Sequence, residues 1–292
     1  MERVAELPRT DVPALTAALV TVTLWASAFV GIRSAGHALS PGALALGRLL
    51  VGSAVLGVIA AFRREPLPAP RDLGSVAAVG LLWLGIYNVT LNEAERRVDA
   101  GTAAMLINSG PILIAVLAGI VLKEGFPRRL FAGCAVAFAG CVLIGLANVH
   151  SSAGAGYGIA LLVVAAFAYA TAVVIQKAVL SRASPLQVTW LGCAAGALVC
   201  LPFAPVLVSD LDDAGAAGIG WLVYLGLAPT ALGFATWAYA LRRMDAGRLA
   251  SLAYLIPVVA IVLGWALLGE TPPWPAAVGG ALCVGGVALA RR

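Results

Sequence analysis

The sequence predicts an all-α integral membrane protein with ten transmembrane helices, built from two inverted five-helix repeats. Three observations support this fold class: the composition, the number of long apolar runs and an internal repeat. Hydrophobic residues make up 61% of the 292 residues and charged residues 11%, whereas soluble domains have about 45–50% and about 25%. The composition therefore indicates a chain whose solvent is largely lipid.

Ten apolar runs lie between the charged segments. Each is close to the roughly 20 residues that cross a hydrocarbon core as an α-helix. A transmembrane β-barrel would instead alternate apolar and polar residues in segments of about 10 residues. The runs extend from about 12 to 32, 41 to 62, 73 to 92, 100 to 122, 128 to 147, 157 to 177, 185 to 207, 216 to 241, 247 to 268 and 274 to 290.

The second half of the chain repeats the first. The motif RRVDAG at 96–101 matches RRMDAG at 242–247, with a shift of 146 positions that also places Pro111 on Pro257 and Glu124 on Glu270. Near the start of each half, WASAFVGIR at 25–33 lies over YATAVVIQK at 169–177. We therefore predict a cytoplasmic tail at 1–11, a first repeat at 12–150 and a second at 151–292.

Lysine and arginine predict the orientation, because they concentrate in cytoplasmic loops. With a cytoplasmic N-terminus, the outer side carries only Arg33, Arg96 and Arg97, and Arg48 lies within the second helix. Both termini are then cytoplasmic, and an odd number of helices per repeat inverts the second repeat. The bias accounts for the net charge of +5 without a nucleic acid partner. The basic residues on the inner side are Arg3, Arg9, Arg63, Arg64, Arg71, Lys123, Arg128, Arg129, Lys177, Arg182, Arg242, Arg243, Arg248, Arg291 and Arg292.

The first apolar run is predicted to be an uncleaved helix, because it is longer than the roughly 7 to 15 residues of a signal-peptide core. In this helix Trp25 lies in mid-run, and Tyr169 is its counterpart in the second repeat. Each ring lies on one face of its own helix, together with the residues three or four positions away from it. Packing and contact with a substrate remain equally open for the two rings.

The second helix contains Arg48 about seven residues from its start. A charge at this depth faces protein or water and has a partner. We favour a structural pairing or a cytoplasmic gate over direct substrate binding.

The third helix carries Asn88 and Asn92 on one face, with Tyr87 beside them. Two carboxamides in hydrocarbon cost several kcal/mol unless they are hydrogen-bonded or hydrated, so this face should point into the bundle. Contact between helices and the lining of a cavity are both open, with the cavity slightly favoured. The matching eighth helix carries Trp237 on a related stripe.

The fourth and ninth helices each contain a proline near their middle, Pro111 and Pro257. Proline has no N–H, so each helix should kink near mid-membrane, and the carbonyl four residues earlier should lose its helical partner. Asn108 and Tyr254 lie beside these carbonyls. Paired breaks in two repeats indicate a binding site at mid-membrane; alternatively, Ser109 and neighbouring helices satisfy the carbonyls and the break serves packing only.

The fifth and tenth helices consist mostly of small residues, which allow close approach of helices within a scaffold or a homodimer. The five cysteines lie in predicted helices without CxxC spacing, and His37 and His150 lie in loops. We therefore predict packing roles for the cysteines, no metal or cofactor and no catalytic residue. The protein is expected to be a monomer or a homodimer.

Taken together, these motifs resemble the EamA branch of the drug/metabolite transporter superfamily. The resemblance rests on W/Y-x-S/T near the start of each repeat, the RRxDAG turn, the proline in mid-helix and the K/G-E ending. It covers nearly the whole chain. Within that branch the sequence is most similar to YddG-type exporters of aromatic amino acids.

The resemblance implies a central cavity lined by the first, third, fourth, sixth, eighth and ninth helices, and export of small metabolites from the cell. Ala26, Ala28 and Ile256 stand where many relatives have polar residues or glycine, which implies a less polar and more aromatic cavity. Tyr87 is also predicted to be a substrate-site residue, because it lies beside Asn88. The substrate-site residues that the resemblance implies are Trp25, Asn88, Asn92, Asn108, Tyr169, Trp237 and Tyr254.

The predicted function is therefore export of aromatic or other neutral amino acids by alternating access, in the inner membrane of a bacterium. Purines, cationic toxicants and threonine-like amino acids are the alternative substrates. No acidic residue lies in the middle of a predicted helix, which favours a facilitator over a proton-coupled carrier. An intramembrane enzyme is disfavoured because no HExxH, GxSxG or paired-Asp motif occurs, and inverted repeats with broken helices favour a carrier over a channel.

Overall fold

The structure, a computed structural model, describes residues 11–35, 39–95, 106–146, 155–268 and 274–291, and these ranges contain helices and turns but no β-strand. The first half contains α1 (Val12–Ala35), α2 (Pro41–Arg63), α3 (Pro70–Val79, the π-helical segment Gly80–Tyr87 and Asn88–Glu95), α4 (Gly110–Leu117 and the π-helical segment Ala118–Leu122) and α5 (Arg128–Leu146). The second half contains α6 (Ala155–Leu180), α7 (Pro185–Cys200, the 3₁₀ segment Leu201–Phe203 and Ala204–Asp213), α8 (Gly215–Leu225, the π-helical segment Gly226–Leu232 and Gly233–Arg243), α9 (Ala246–Ser251, the 3₁₀ segment Leu252–Leu255 and Ile256–Leu268) and α10 (Trp274–Arg291).

Six helical stretches of the described chain are long and apolar enough to cross a membrane. Many exposed side chains on the helices are large and apolar, as suits contact with lipid: Leu50, Ile120, Val121, Leu198 and Val262. The prediction of an all-helical membrane protein is thus confirmed for the described residues. The six stretches are Pro41–Arg63, Pro70–Leu91, Gly156–Leu180, Pro185–Asp213, Gly215–Arg243 and Ala246–Leu263, and shorter apolar helices lie at Val12–Ala28, Gly110–Leu122 and Ala277–Arg291.

Proline begins three of these helices. Pro41, Pro70 and Pro185 each occupy the first helical position of α2, α3 and α7. The missing N–H of proline costs nothing there, because the first-turn amides have no partner within the helix. At α7 the Ser184 side chain also accepts a hydrogen bond from the Gln187 N–H at 3.1 Å.

Most of the packing joins a helix of the first half to one of the second. The first helix, α1, packs against α8 and α9, while α6 packs against α3 and α4. The remaining major contacts between halves pair α2 with α7 and α8, α3 with α7, α4 with α9 and α5 with α10. The buried core therefore runs along the boundary between the two halves.

Glycines allow α5 and α10 to approach closely. A Cβ added to Gly140 would lie 2.4 Å from the Gly279 carbonyl oxygen, and one added to Gly286 would lie 2.4 Å from the Ala137 nitrogen. Backbones this close leave no room for a side chain, so the small residues here form a tight scaffold contact. The thiols of Cys141 and Cys283 face each other at 3.6 Å in the same contact.

Regular α-helix is interrupted at equivalent places in the two halves. The π-helical segments Gly80–Tyr87 and Gly226–Leu232 lie in α3 and α8, and such segments leave carbonyls free for other donors. Residues 108–109 form a turn immediately before α4, and Leu252–Leu255 is a 3₁₀ segment within α9. The interruptions of α4 and α9 thus come just before Pro111 and Pro257.

Polar contacts join the two halves at one end of the bundle, which we call the Arg182 end. Arg182 at the α6–α7 turn donates to Asp72 of α3 from Nε at 2.9 Å and from Nη2 at 2.8 Å. The Ser184 hydroxyl donates to the Glu65 carboxylate. At the start of α9, the Ala246 N–H donates to Glu124 at 2.9 Å.

Asp11 caps α1 at this end. Its carboxylate accepts a hydrogen bond from the Ala14 N–H at 3.1 Å and pairs with Arg243 of α8 at 3.1 Å. The Ala14 N–H contributes most to holding the pKa of Asp11 below its usual value, and Arg243 adds to the effect. The start of α1 is thereby linked to the end of α8.

Candidate functional site

Six aromatic rings form one connected cluster inside the bundle, which we call the ring cluster. Trp83 of α3 is its centre, with ring centroids 5.0 Å from Phe234, 5.1 Å from Tyr169, 5.7 Å from Trp237 and 5.9 Å from Trp25. Separations of about 4.5–7 Å are those of favourable aromatic pairs. The cluster therefore brings together α1, α3, α6 and α8, two helices from each half.

The rest of the cluster is held by direct contacts. Trp25 lies 5.1 Å from Trp237 and 5.2 Å from Phe234. Its indole Nε1 donates to the Pro229 carbonyl at 3.2 Å, within the π-helical segment of α8. Tyr87 joins the cluster through Tyr169, at 5.8 Å between centroids. Each ring is thus oriented by at least one neighbour.

Sequence reasoning named four of the six rings as site residues and missed Trp83 and Phe234. Trp83 lies four residues before Tyr87, and Phe234 lies three residues before Trp237. Residues at these spacings share a helix face, so the positions of Tyr87 and Trp237 were a signal that could have pointed to both. In the structure Trp83 contacts more rings of the cluster than Trp25 does.

Two polar atoms of predicted site residues are buried without a hydrogen-bond partner in the described part of the chain. They are the indole Nε1 of Trp237, whose side chain is in the cluster, and the hydroxyl of Tyr254 on the 3₁₀ segment of α9. Trp237 is 2% exposed and Tyr254 is 0% exposed. A buried polar atom without a hydrogen-bond partner destabilises the folded protein by about 1–3 kcal/mol. Both atoms can therefore hydrogen-bond to a ligand without first breaking a bond within the protein.

The asparagines predicted for the site have different surroundings. The Asn88 amide donates to the Leu84 carbonyl at 2.9 Å and to the Trp83 carbonyl at 3.3 Å. It therefore satisfies carbonyls of the π-helical segment and has a backbone partner already. Asn108 lies in the turn before α4. The side chain of Asn92 lies outside the part of the chain that the structure describes.

Arg48 of α2 lies next to the ring cluster. Its Nε donates to the Thr230 hydroxyl at 2.8 Å, and Thr230 is one helical turn before Phe234. Among the described residues, no carboxylate lies within 4.0 Å of the Arg48 guanidinium. The structure thus places the arginine beside the predicted site without the acidic partner that a structural ion pair requires.

A cleft of about 430 Å³ opens at the other end of the bundle, between α2, α3 and α7. Ala45 lies in its wall, one turn from Arg48 on α2. The remaining lining is mostly apolar, with Glu93 as its acidic residue: Ser40, Pro41, Gly42, Val89, Glu93, Cys200, Phe203 and Val206. In the described ranges, no group of three or more His, Cys, Asp or Glu side chains could hold a metal ion.

The helical fold with its apolar outer surface is that of a multi-pass membrane protein. The model of the EamA-like transporter family matches residues 12–146 and again residues 156–292. The chain therefore belongs to the EamA-like transporter family, as the sequence motifs predicted.

Several relatives of this chain are named as transporters, exporters or efflux pumps. A probable terminal-alkyne amino-acid exporter of Streptantibioticus cattleyicolor is 37% identical over 96% of this chain and 93% of its own length. The uncharacterized transporter YdfC of Bacillus subtilis is 31% identical over 91% of this chain and 87% of its own. A probable amino-acid metabolite efflux pump of Salmonella typhimurium is 28% identical over 87% of this chain and 86% of its own length.

A solved crystal structure shares the fold. It superposes with a TM-score of 0.80 at 22% sequence identity and covers 95% of this chain and 96% of that chain.

Proposed function

We propose that this protein exports small neutral amino acids with aromatic or other apolar side chains. The observation that carries the proposal is the ring cluster, in which four helices from both halves present six rings. One of these rings, Trp237, has a buried Nε1 with no hydrogen-bond partner among the described residues. The names of two relatives, an amino-acid exporter and an amino-acid metabolite efflux pump, support the same class.

Binding within the ring cluster requires its rings to move. Centroid separations of 5.0–5.9 Å are direct contacts, so an aromatic side chain can enter only by replacing a ring–ring contact with ring–substrate contacts. Such an exchange conserves much of the stacking energy, about 0.5–1.5 kcal/mol per pair. A substrate with a flat apolar side chain therefore couples its own binding to rearrangement of α1, α3, α6 and α8.

The architecture proposed for this movement is ten transmembrane helices in two inverted repeats, with both termini in the cytoplasm. The contacts between halves support it, because exchanging the repeats maps the α1–α8 contact onto α6–α3 and the α1–α9 contact onto α6–α4. The bias of basic residues supports a cytoplasmic Arg182 end. Polar contacts between the halves at that end then close the cytoplasmic side of the site.

The proposed energy source is the gradient of the substrate itself. Acidic side chains in the described helices lie near the helix ends, as in Asp72, Glu93 and Asp210. A proton-coupled carrier normally keeps a titratable group on the path through the membrane. Movement of charge together with a neutral substrate in proteoliposomes would contradict this mechanism.

The test is counterflow of labelled phenylalanine, tryptophan, threonine and a purine into proteoliposomes. We expect saturable uptake of the aromatic amino acids, reduced in Trp25→Ala and in Asn108→Ala and unchanged in Trp265→Ala. Trp265 is a matched control, because it is 58% exposed on α9. Uptake of the purine alone by folded protein would contradict the proposed substrate class.

A further inference from the structure

We propose that Arg48 binds the carboxylate of the transported amino acid. The inference rests on the proposed function and assigns the polar end of the substrate, which aromatic rings cannot hold. It also revises the sequence-based preference for a structural pairing or a cytoplasmic gate at this position.

The Arg48 guanidinium has unused hydrogen-bonding capacity. It carries five N–H donors, of which one, on Nε, meets the Thr230 hydroxyl at 2.8 Å. No carboxylate of the described residues lies within 4.0 Å. A charged group inside a membrane protein is costly unless it is paired, so the four remaining donors favour an anionic ligand with two oxygens.

Arg48 faces the interior of the bundle. The lipid-facing side of α2 is marked by the exposed residues Leu50, Ala54 and Val58, which are spaced by four. Arg48 is two positions from Leu50, about 200° around the helix, and Leu44 and Gly52 on its own face are buried. Arg48, which is partly exposed, therefore faces the bundle and points away from lipid.

The position of Arg48 matches the length of an amino acid. Its partner Thr230 lies four residues, about 6 Å along the helix axis, from Phe234 of the ring cluster. The guanidinium also lies within electrostatic range of the Tyr87 hydroxyl and the Cys193 thiol. A substrate with its side chain among the rings can thus reach Arg48 with its carboxylate.

Thr230 orients the guanidinium. Its hydroxyl donates its single proton to the Leu225 carbonyl at 2.8 Å, just before the π-helical segment of α8. The oxygen lone pairs of Thr230 must therefore accept from Arg48. This chain of bonds fixes one edge of the guanidinium and leaves the other edge for two parallel bonds to a carboxylate. Thr230 is accordingly a positioning residue.

The experiment compares three competitors of labelled phenylalanine counterflow: phenylalanine itself, phenylalaninamide and phenethylamine. The last two keep the ring and lack the carboxylate. We expect the parent to prefer phenylalanine by at least about tenfold, since one hydrogen bond to a charged group is enough for about that factor. In Arg48→Gln this preference should fall to near one, and Arg48→Lys should keep part of it. Arg248→Gln, at a partly exposed arginine paired with Asp245, is the control.

Arg48→Gln is also checked for folding by size-exclusion chromatography and thermal unfolding, and Thr230→Val provides a second variant in which the preference should fall several-fold. A parent that takes up phenylalanine but is inhibited equally by the amide overturns the role of Arg48 and leaves the proposed function intact. A folded Arg48→Gln protein with the parent's preference overturns it as well. A folded parent that transports none of the amino acids contradicts the proposed function, and the role of Arg48 with it.

Discussion

The pair Asp72–Arg182 joins the two halves through one carboxylate, and its contribution can be worked out from its geometry. The Asp72 side chain is 4% exposed and that of Arg182 is 46% exposed, and two N–H groups approach the same oxygen at 2.8 and 2.9 Å. Removing Arg182 leaves a buried carboxylate whose other cationic partner within 4.0 Å, among the described residues, is Arg71 at 3.9 Å, 77% exposed. Breaking a buried pair in this way costs about 3–5 kcal/mol, and we expect about 2–3 kcal/mol because water reaches Arg182.

The double variant separates this effect from simple loss of contacts. In Asp72→Asn/Arg182→Ala no buried charge is left, so the protein should be more stable than Arg182→Ala alone, with a coupling energy of about 1–2 kcal/mol. The measurement is the free energy of unfolding in mixed micelles by titration with a denaturing detergent. If the two single changes add to within about 0.5 kcal/mol, the carboxylate is not held by Arg182 and the reasoning is wrong.

Three further predictions concern the scaffold and the site. Gly286→Ala should lower the free energy of unfolding by about 1–3 kcal/mol through overpacking, because the new Cβ would lie 2.4 Å from the Ala137 nitrogen. Gly285→Ala is the control: its Cβ would meet nothing within 4 Å, so the free energy of unfolding should not change. Asn88→Ala should lower stability by about 1 kcal/mol and change the KM for transport less than twofold, because the amide serves the Leu84 carbonyl; a large rise in KM would mean that the amide binds substrate. A membrane-impermeant maleimide should label none of the three cysteines of α5 and α10, and labelling would show that this contact opens: Cys134, Cys141 and Cys283.

The fold class could be predicted from the sequence because lipid restricts a chain to few structures. Backbone polar groups in hydrocarbon must be paired within the segment, so long apolar runs become helices. The π-helical segments could not be predicted in this way. They depend on donors supplied by particular side chains, such as Asn88 to the Trp83 and Leu84 carbonyls, and on contacts between distant helices, such as Trp25 to the Pro229 carbonyl.

The candidate site was predictable only in part, for a related reason. Aromatic and polar residues in mid-helix pointed to Trp25, Tyr87, Tyr169 and Trp237, which the structure brings into one cluster. Trp83, the centre of that cluster, was marked only by its spacing of four residues from Tyr87, because the matching position in the second half is Pro229 rather than an aromatic residue. The surroundings of Arg48 were equally hidden, because the identity of its neighbour on α8 depends on how the halves pack.

The most direct test of the central claim is equilibrium binding of labelled phenylalanine to the purified protein and to Trp83→Ala. Trp83 contacts four of the other five rings, so its removal should raise the Kd by at least about tenfold, with each lost aromatic contact contributing about 0.5–1.5 kcal/mol. The lipid-facing control Trp265→Ala should bind as the parent does. Equal Kd values for all three folded proteins would contradict the assignment of the ring cluster as the substrate site.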